Sequence, residues 1–173
     1  MDTLQDKNIA VIVGGPSTEA EVSRRTGAAI AGALQEKGYH AELLELVPDK
    51  LASQLQDKNI DVVFNALHGH YGEDGVLQGL CEMMGIPYTG PGVMASAVGM
   101  NKVMSKCAFQ GAGIATAPFA YYFNTQDEDA IAADIIKRFS LPVVIKSAGQ
   151  GSSIGTVIVH SEDEIRSALN EAF

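Results

Sequence analysis

The chain has 173 residues, of which 46% are hydrophobic and 19% are charged, and its formal net charge is −9. This length holds one large or two small domains. The acidic balance argues against a nucleic-acid partner and against an anionic membrane surface, because phosphate groups attract basic proteins. Cys81 and Cys107 lack CxxC spacing, which argues against a zinc site and a disulfide framework. The first residues resemble no signal peptide and no run is long enough to span a membrane, so we expect a cytoplasmic protein.

The first half of the chain alternates predicted strands with predicted helices. Asn8 to Val13 is nearly all apolar, as in a parallel strand that is buried on both faces. Thr18 and Glu21 predict a capping box for the first helix. The predicted strands are 8–13, 41–46 and 61–67, and the predicted helices are 19–36, 51–56 and 76–84. This order favours an open, doubly wound α/β layer with its ligand loops at the carboxyl ends of the strands.

The second half indicates a small α+β unit. Gly90-Pro91-Gly92 marks a change of domain, so we predict domains at 1–92 and 93–173. Asn101 is the expected N-cap of a helix, and Ser161 with Glu164 predicts a second capping box. The predicted helices are 93–100, 102–110, 127–139 and one from 162, and the predicted strands are 119–123, 141–146 and 156–159.

A glycine-serine loop follows the strand that ends at Lys146 and runs to Gly155. Backbone N–H groups and hydroxyls in such a loop suit phosphate oxygens, so a hairpin lid over a nucleotide is one interpretation. An ordinary mobile hairpin loop is the other, because glycine and serine are common in turns. It is not a P-loop, since the lysine precedes the glycines.

The loop after the first strand contains Gly14, Gly15, Pro16 and Glu19. It fails the GxGxxG pattern of a dinucleotide site, because Pro16 occupies a position that needs close backbone approach. Glu19 lies in the first turn of the predicted helix. It either complements the helix dipole, as acidic residues there often do, or holds a substrate ammonium.

His68 to Gly75 follows the third predicted strand and contains three glycines. A metal pair formed by His68 and His70 is disfavoured, because the loop offers no third ligand nearby. Asp74 is expected to cap the next helix, and His68 is the better candidate for ligand contact. Lys102, at the start of its helix, is either a solvated lysine or a second phosphate contact.

Several of these segments, taken in order, resemble the D-alanine–D-alanine ligase family. The matching motifs are Gly14-Gly15-x-Ser17-x-Glu19-x-Glu21-Val22-Ser23-x-x-x-Gly27, His68-Gly69-x-x-Gly72-Glu73-Asp74-Gly75-x-x-Gln78-Gly79, Pro87-Tyr88-Thr89-Gly90, Met100-Asn101-Lys102 and the loop from Lys146 to Gly155. Order and spacing fit from about residue 8 to the end.

The resemblance implies an α/β domain that precedes the ATP-grasp fold, followed by the first subdomain of that fold. It also implies a peptidoglycan-building enzyme that uses ATP and Mg²⁺ to join two D-alanines through an acyl phosphate, acting as a homodimer.

Site roles follow from the same resemblance, position by position. Glu19 and Ser152 are expected to act in catalysis. Glu19 is expected to bind the ammonium of the first D-alanine, and Ser152 is expected to hydrogen-bond with Glu19. Val22 and His68 are expected to line the substrate site. Lys102, Lys146, Gly151 and Ser153 are expected to bind the phosphates of ATP, and no metal ligand is expected within this chain.

Three departures qualify the resemblance. The family usually has aspartate where Asn101 stands and proline where Ser147 stands, and we expect the serine to loosen the start of the loop. The family's metal-binding half has no counterpart here, so we expect an N-terminal fragment that is inactive alone. D-alanine-dependent ATP hydrolysis by the chain would contradict that expectation.

Other functions remain open. D-lactate or D-serine could replace the second D-alanine, and a non-catalytic module could bind a D-amino acid or a nucleotide. A dinucleotide-dependent oxidoreductase is the remaining alternative, and Pro16 argues against it.

Overall fold

A computed structural model describes residues 4–173. Contacts divide the chain into two compact units, unit 1 up to Gly99 and unit 2 from Met100 to Phe173. The predicted domain boundary at 92/93 stays a prediction, and the first three residues of the predicted first domain lie outside the described part. Within that part, no helix has both the length and the apolar character needed to cross a bilayer.

Unit 1 is built on a parallel sheet of three strands. These are β1 (Asn8–Val13), β2 (His40–Glu45) and β3 (Val62–Asn65), in the order β2-β1-β3. A single parallel bridge joins β3 to Tyr88. The three strands confirm the predicted ones, and every β1 residue after Asn8 is buried.

Helices α1 (Ala20–Glu36), α2 (Leu51–Asp57) and α3 (Val76–Met84) cover the two faces of this sheet. A fourth helix, α4 (Val93–Met100), follows α3 along the chain. Alternate residues of β1 enter two different apolar clusters, Ala10 and Ile12 in one and Ile9, Val11 and Val13 in the other. This period of two confirms the prediction that β1 is buried on both faces in a doubly wound layer.

Helix α1 lies unusually close to β1. Its buried residues are Ser23, Gly27 and Ala31, which recur every four residues and form one face of the helix. A Cβ atom at Gly27 would lie only 2.0 Å from Cγ1 of Val13. The missing side chain therefore sets the distance between the helix and the strand.

Unit 2 combines helices with an antiparallel hairpin. Its helices are α5 (Lys102–Gly111), α6 (Glu128–Arg138) and α7 (Ile165–Ala172), and its strands are β4 (Val143–Lys146) and β5 (Thr156–Val159). Residues from α6, β5 and α7 form its buried core. The hairpin and the flanking helices confirm the predicted α+β unit.

The predicted strand at 119–123 is wrong. A strand needs a neighbour for its backbone groups, but this segment forms no strand and contacts two helices and a turn. The ammonium of Lys106 lies 5.2 Å from the Phe119 ring, and the Tyr122 hydroxyl donates to Asp134. Burial and this hydrogen bond raise the pKa of Tyr122 to about 12.

The predicted capping box of α1 is wrong, and the one before α7 forms only in part. Helix α1 begins one residue later than Thr18 would require, with Glu19 as its N-cap and no side-chain capping bond. Ser161 is the N-cap of the 3-10 turn that precedes α7, as predicted, but its side chain makes no capping bond. The carboxylate of Glu164 accepts from the N–H of His160 at 2.8 Å and also bonds the backbone of Ser161, and these bonds lower the pKa of Glu164.

Substituting Gly27 with alanine tests the close packing of α1 on β1. Alanine favours helices, yet Gly27→Ala should lower the free energy of unfolding by about 1–3 kcal/mol through overpacking. The matched control is Gly32→Ala in the same helix, where a new Cβ meets nothing within 4 Å. That control should raise stability by about 0.5–1 kcal/mol. Equal effects in urea unfolding would contradict the packing account.

Candidate functional site

The loops after β1 and β3 meet at one edge of the sheet in unit 1. Both strands are parallel, so their carboxyl ends point the same way. Gly69, with φ +69°, approaches so closely that a Cβ there would lie 2.9 Å from Oγ of Ser17 and 3.0 Å from Oε2 of Glu19. The structure therefore brings Glu19 beside the loop of His68, as expected for two parts of one site.

An ion pair supports the turn at Gly14 and Gly15. Arg24 donates to both carboxylate oxygens of Glu45, at 2.7 to 3.2 Å, and the N–H of Gly15 reaches the same carboxylate at 3.3 Å. The bond from Arg24, aided by that N–H, lowers the pKa of Glu45 despite partial burial. Gly14 has φ +73°, which favours glycine, and a Cβ there would lie 1.9 Å from Oε1 of Glu45 and would displace that carboxylate.

Two amide side chains hold the carbonyl of Gly72. Asn65 Nδ2 donates to it at 2.8 Å, and Nε2 of the buried Gln78 donates at 2.7 Å. A carbonyl oxygen has two lone pairs, so both bonds form together. The middle of the loop that follows His68 is therefore fixed by the end of β3 and by α3.

His68 itself lies beside Glu73. Its Nδ1 is 3.8 Å from Oε1 of Glu73, whose other oxygen accepts from the N–H of Gly69 at 2.7 Å. Its Nε2 is buried and has no hydrogen-bond partner among the described residues. One nitrogen of the imidazole thus lies near a carboxylate, beyond hydrogen-bond distance, and the other has no partner in the described part of the chain.

His70 and Asp74 shape the loop rather than a metal centre. Asp74 accepts from Nδ1 of His70 at 2.7 Å and from the N–H groups of Tyr71 and Val76. Burial raises the pKa of Asp74, but these hydrogen bonds outweigh burial and lower that pKa overall. By accepting from the N–H of Val76, the first residue of α3, Asp74 fills the capping role that was expected of it. Among residues 4–173, no group of three or more His, Cys, Asp or Glu is placed to hold a metal ion.

Val22 and Glu19 lie in the first turns of α1. Glu19 occupies the N-cap position, so its charge complements the helix dipole whether or not it binds a ligand. The side chain of Val22 is 44% exposed, which leaves an apolar surface one turn after Glu19. Both remain candidate substrate contacts.

Two lysines of unit 2, Lys102 and Lys146, are near enough for their charges to interact. Lys102 starts α5 and Lys146 ends β4. Burial, and then the nearby ammonium of Lys146, lower the pKa of Lys102. Nζ of Lys102 donates to the backbone oxygen of Gln150 in the glycine-serine loop at 2.5 Å. Two like charges are unfavourable neighbours, so this site favours an anion between or beside them.

The start of α5 itself is not the phosphate site that Lys102 suggested. Oδ1 of Asn101 accepts from the N–H groups of Val103 and Met104 at 3.0 Å, which confirms the predicted N-cap. The N–H of Lys102 donates to the carbonyl of Ala148. These first amides are committed to protein acceptors, so the ammonium groups are left to attract an anion.

The loop from Ser147 to Gly155 is held at its base. The N–H of Ser147 donates to the carbonyl of Gly155 at 2.8 Å, a bond that proline could not make. The expectation that this serine loosens the start of the loop is therefore wrong. Ser152 and Ser153 have φ of +48° and +63°, and the carbonyl of Gly151 accepts from Ile154, so the tip is a tight turn.

Sequence reasoning overlooked several residues that position the site. Ser23, Asn65 and Gln78 were assigned no role, yet each is hydrogen-bonded to a backbone group of a site loop. The available signal was a polar side chain inside an apolar pattern, at the end of β3 for Asn65 and on the buried face of α1 for Ser23.

Comparison with known proteins is consistent across the chain. The model of the D-ala D-ala ligase N-terminus matches residues 45–91, and that of the D-ala D-ala ligase C-terminus matches residues 108–173. A D-alanine–D-alanine ligase from Geotalea uraniireducens is 47% identical over 173 residues, covering 100% of this chain and 54% of that protein. The chain belongs to the D-alanine–D-alanine ligase family.

Solved structures of this family have the same fold. A D-alanine–D-alanine ligase from Bacillus anthracis superposes with a TM-score of 0.84 at 35% identity, covering 96% of this chain and 54% of that one. A second structure of the Bacillus anthracis ligase, complexed with ATP, gives a TM-score of 0.80 at 34% identity, covering 95% and 54%. The chain spans about half the length of the relatives that it matches.

Replacing Asn101 tests whether its side chain sets the start of α5. Asn101→Ala removes the acceptor for Val103 and Met104 and should lower the free energy of unfolding by about 1 kcal/mol. Asn101→Asp, the residue usual in the family, should cap equally well. Both variants are compared by urea unfolding, and an alanine variant as stable as the aspartate variant would contradict the assignment.

Proposed function

We propose that this chain carries the ATP-phosphate site and the first D-alanine site of an ATP-dependent D-alanine–D-alanine ligase. The observation that carries the proposal is the Lys102–Lys146 pair beside the glycine-serine loop, in a chain of this family. An ATP-bound relative of the same fold supports the choice of nucleotide.

The outer face of the hairpin suits a nucleotide. Val144 and Ile158 lie opposite each other there and are 52% and 58% exposed, while Val143 and Ile145 pack against the core. Lys146 follows Val144 on the same face, about 7 Å further along β4. An apolar platform for a base next to an ammonium for phosphates matches the two chemical halves of ATP.

The edge of the sheet in unit 1 suits the first D-alanine. Glu19 supplies a carboxylate for the substrate ammonium, and a charge-assisted hydrogen bond of this kind is short and strong. His68 adds an imidazole whose Nε2 has no protein partner in the described part. Val22 offers an exposed apolar surface for the methyl group.

The proposed reaction has two steps. The γ-phosphoryl group passes from ATP to a carboxylate oxygen of the first D-alanine, which gives ADP and an acyl phosphate. The amine of the second D-alanine then attacks the acyl carbon and loses a proton as phosphate leaves. Lys102 and Lys146 would neutralise charge on the phosphates, and Gly151 and Ser153 would contact them from the loop tip. The predicted bond between Ser152 and Glu19 joins residues of different units and stays a prediction.

Mg²⁺ would supply further charge neutralisation in such a reaction. The described residues offer no suitable group of ligands, so no step is assigned to the metal here. The proposal includes two further statements. The chain alone does not catalyse the reaction, and the second substrate is D-alanine rather than D-lactate or D-serine.

We also propose a cytoplasmic homodimer that serves cell-wall synthesis. Large apolar side chains on α3 and α4 of unit 1 support a partner surface there, since Met83 is 89% exposed and Met94 80% exposed.

Removing the Lys146 ammonium tests the nucleotide site. Lys146→Ala should weaken ATP binding by the chain about tenfold, because a charge-assisted contact to phosphate is lost. Binding of adenosine should change little. Calorimetric titration of both ligands measures the difference.

The matched control is Lys137→Ala, which removes an equally exposed lysine from α6. If that variant weakens ATP binding as much as Lys146→Ala does, general electrostatics explains the effect and the site assignment is wrong.

A further inference from the structure

We propose that Ser23 is a positioning residue that fixes Glu19 and His68 relative to each other before any substrate binds. The inference rests on the proposed function, because Glu19 and His68 gain their meaning from the first D-alanine site. Ser23 itself is fully buried, so it would act through the backbone groups that it binds.

The Ser23 hydroxyl joins three elements at one point. It accepts a hydrogen bond from the N–H of Gly14, just after β1, at 2.9 Å. It donates its proton to the carbonyl of Ala66, just after β3, at 2.8 Å. The side chain belongs to α1, so one oxygen atom ties the helix to the ends of two neighbouring strands.

Glu19 and His68, the two candidate substrate residues, lie close in sequence to the groups that this hydroxyl joins. The N–H of Ser23 donates to the carbonyl of Glu19 at 3.0 Å, within the first turn of α1. His68 follows Ala66 by two residues, and its neighbour Gly69 approaches Glu19 closely. A shift of the hydroxyl would therefore change the distance between the carboxylate and the imidazole, where a displacement of about 1 Å can matter greatly.

The chemistry of the position demands a hydroxyl. An N–H and a C=O must both be satisfied by one small atom in a place without water, and only a group that accepts and donates can do so. Alanine would leave both backbone groups unpaired. Cysteine would keep nearly the same shape with a much weaker donor and acceptor, whereas threonine would keep the hydroxyl and add one methyl group.

The experiment measures D-alanine binding to the ¹⁵N-labelled chain through the amide shift of Gly69. Wild type, Ser23→Cys and Ser23→Thr are compared, with Ser23→Ala included only if urea unfolding shows that it is folded. Glu19→Gln serves as the site control and Ser53→Ala as the surface control, since Ser53 only bonds the carbonyl of Lys50 at an exposed position. Titration with ATP is run on each variant as a readout of unit 2.

We expect Ser23→Cys to weaken D-alanine binding about tenfold and Ser23→Thr to bind within about threefold of wild type. ATP binding and the Ser53→Ala variant should be unchanged. A purely structural role would lower the stability of Ser23→Cys and leave its D-alanine affinity, corrected for the folded fraction, at the wild-type value.

Two results would overturn the inference, and they differ. Equal D-alanine affinity of folded wild type and Ser23→Cys overturns the role of Ser23 alone. The assignment of D-alanine to unit 1 fails if D-alanine does not shift the Gly69 amide of the wild type, or if Glu19→Gln leaves that shift in place. The inference about Ser23 then fails with it. The ATP titration then shows whether the nucleotide half of the proposed function survives.

Discussion

The proposed D-alanine site in unit 1 depends on how closely helix α1 approaches strand β1. With no side chain at Gly27, the helix lies against Val13 at a distance that a single methyl group would prevent. One turn earlier on the same face, the Ser23 hydroxyl can then reach backbone groups at the ends of β1 and β3. The position of Glu19 beside the His68 loop follows from that packing, and apolar burial provides its free energy.

The proposed phosphate site in unit 2 depends on electrostatic rather than packing constraints. Lys102 and Lys146 are held near each other by a capped helix and a hairpin, and partial burial already disfavours the charged form of Lys102. A bound anion offsets both the repulsion between the two ammonium groups and the cost of burying the charge of Lys102. The arrangement therefore favours phosphate binding. The net charge of −9 does not oppose this, because such local charges dominate at short range.

Sequence patterns predicted most of the regular structure, because burial imposes periodicity on the residues involved. The continuous apolar run of β1 and the position of Asn101 before α5 each follow from local rules. The segment at 119–123 was mispredicted because a strand also needs a partner, which no local pattern supplies. The capping box of Thr18 failed for a different reason, since α1 begins one residue later than predicted and the Thr18 side chain is then misplaced for capping.

Prediction of the site was more uneven. The lysines, Glu19 and His68 stand at the ends of strands or helices, where sequence reasoning looks for them. Ser23, Asn65 and Gln78 act through backbone groups distant in sequence, at Ala66 for Ser23 and at Gly72 for the two amides. Ser147 was misread because the bond of its N–H to Gly155 exists only once the hairpin has formed.

The most direct test of this account is to map both ligands on the ¹⁵N-labelled chain in separate titrations. D-alanine should shift amides of unit 1 around Gly14 and Gly69, and L-alanine should have a much weaker effect. ATP should shift amides of unit 2 around Lys102 and Ser147. If ATP instead perturbs the unit 1 loops, or D-alanine perturbs none of them, the assignment of the two ligands to the two units is wrong.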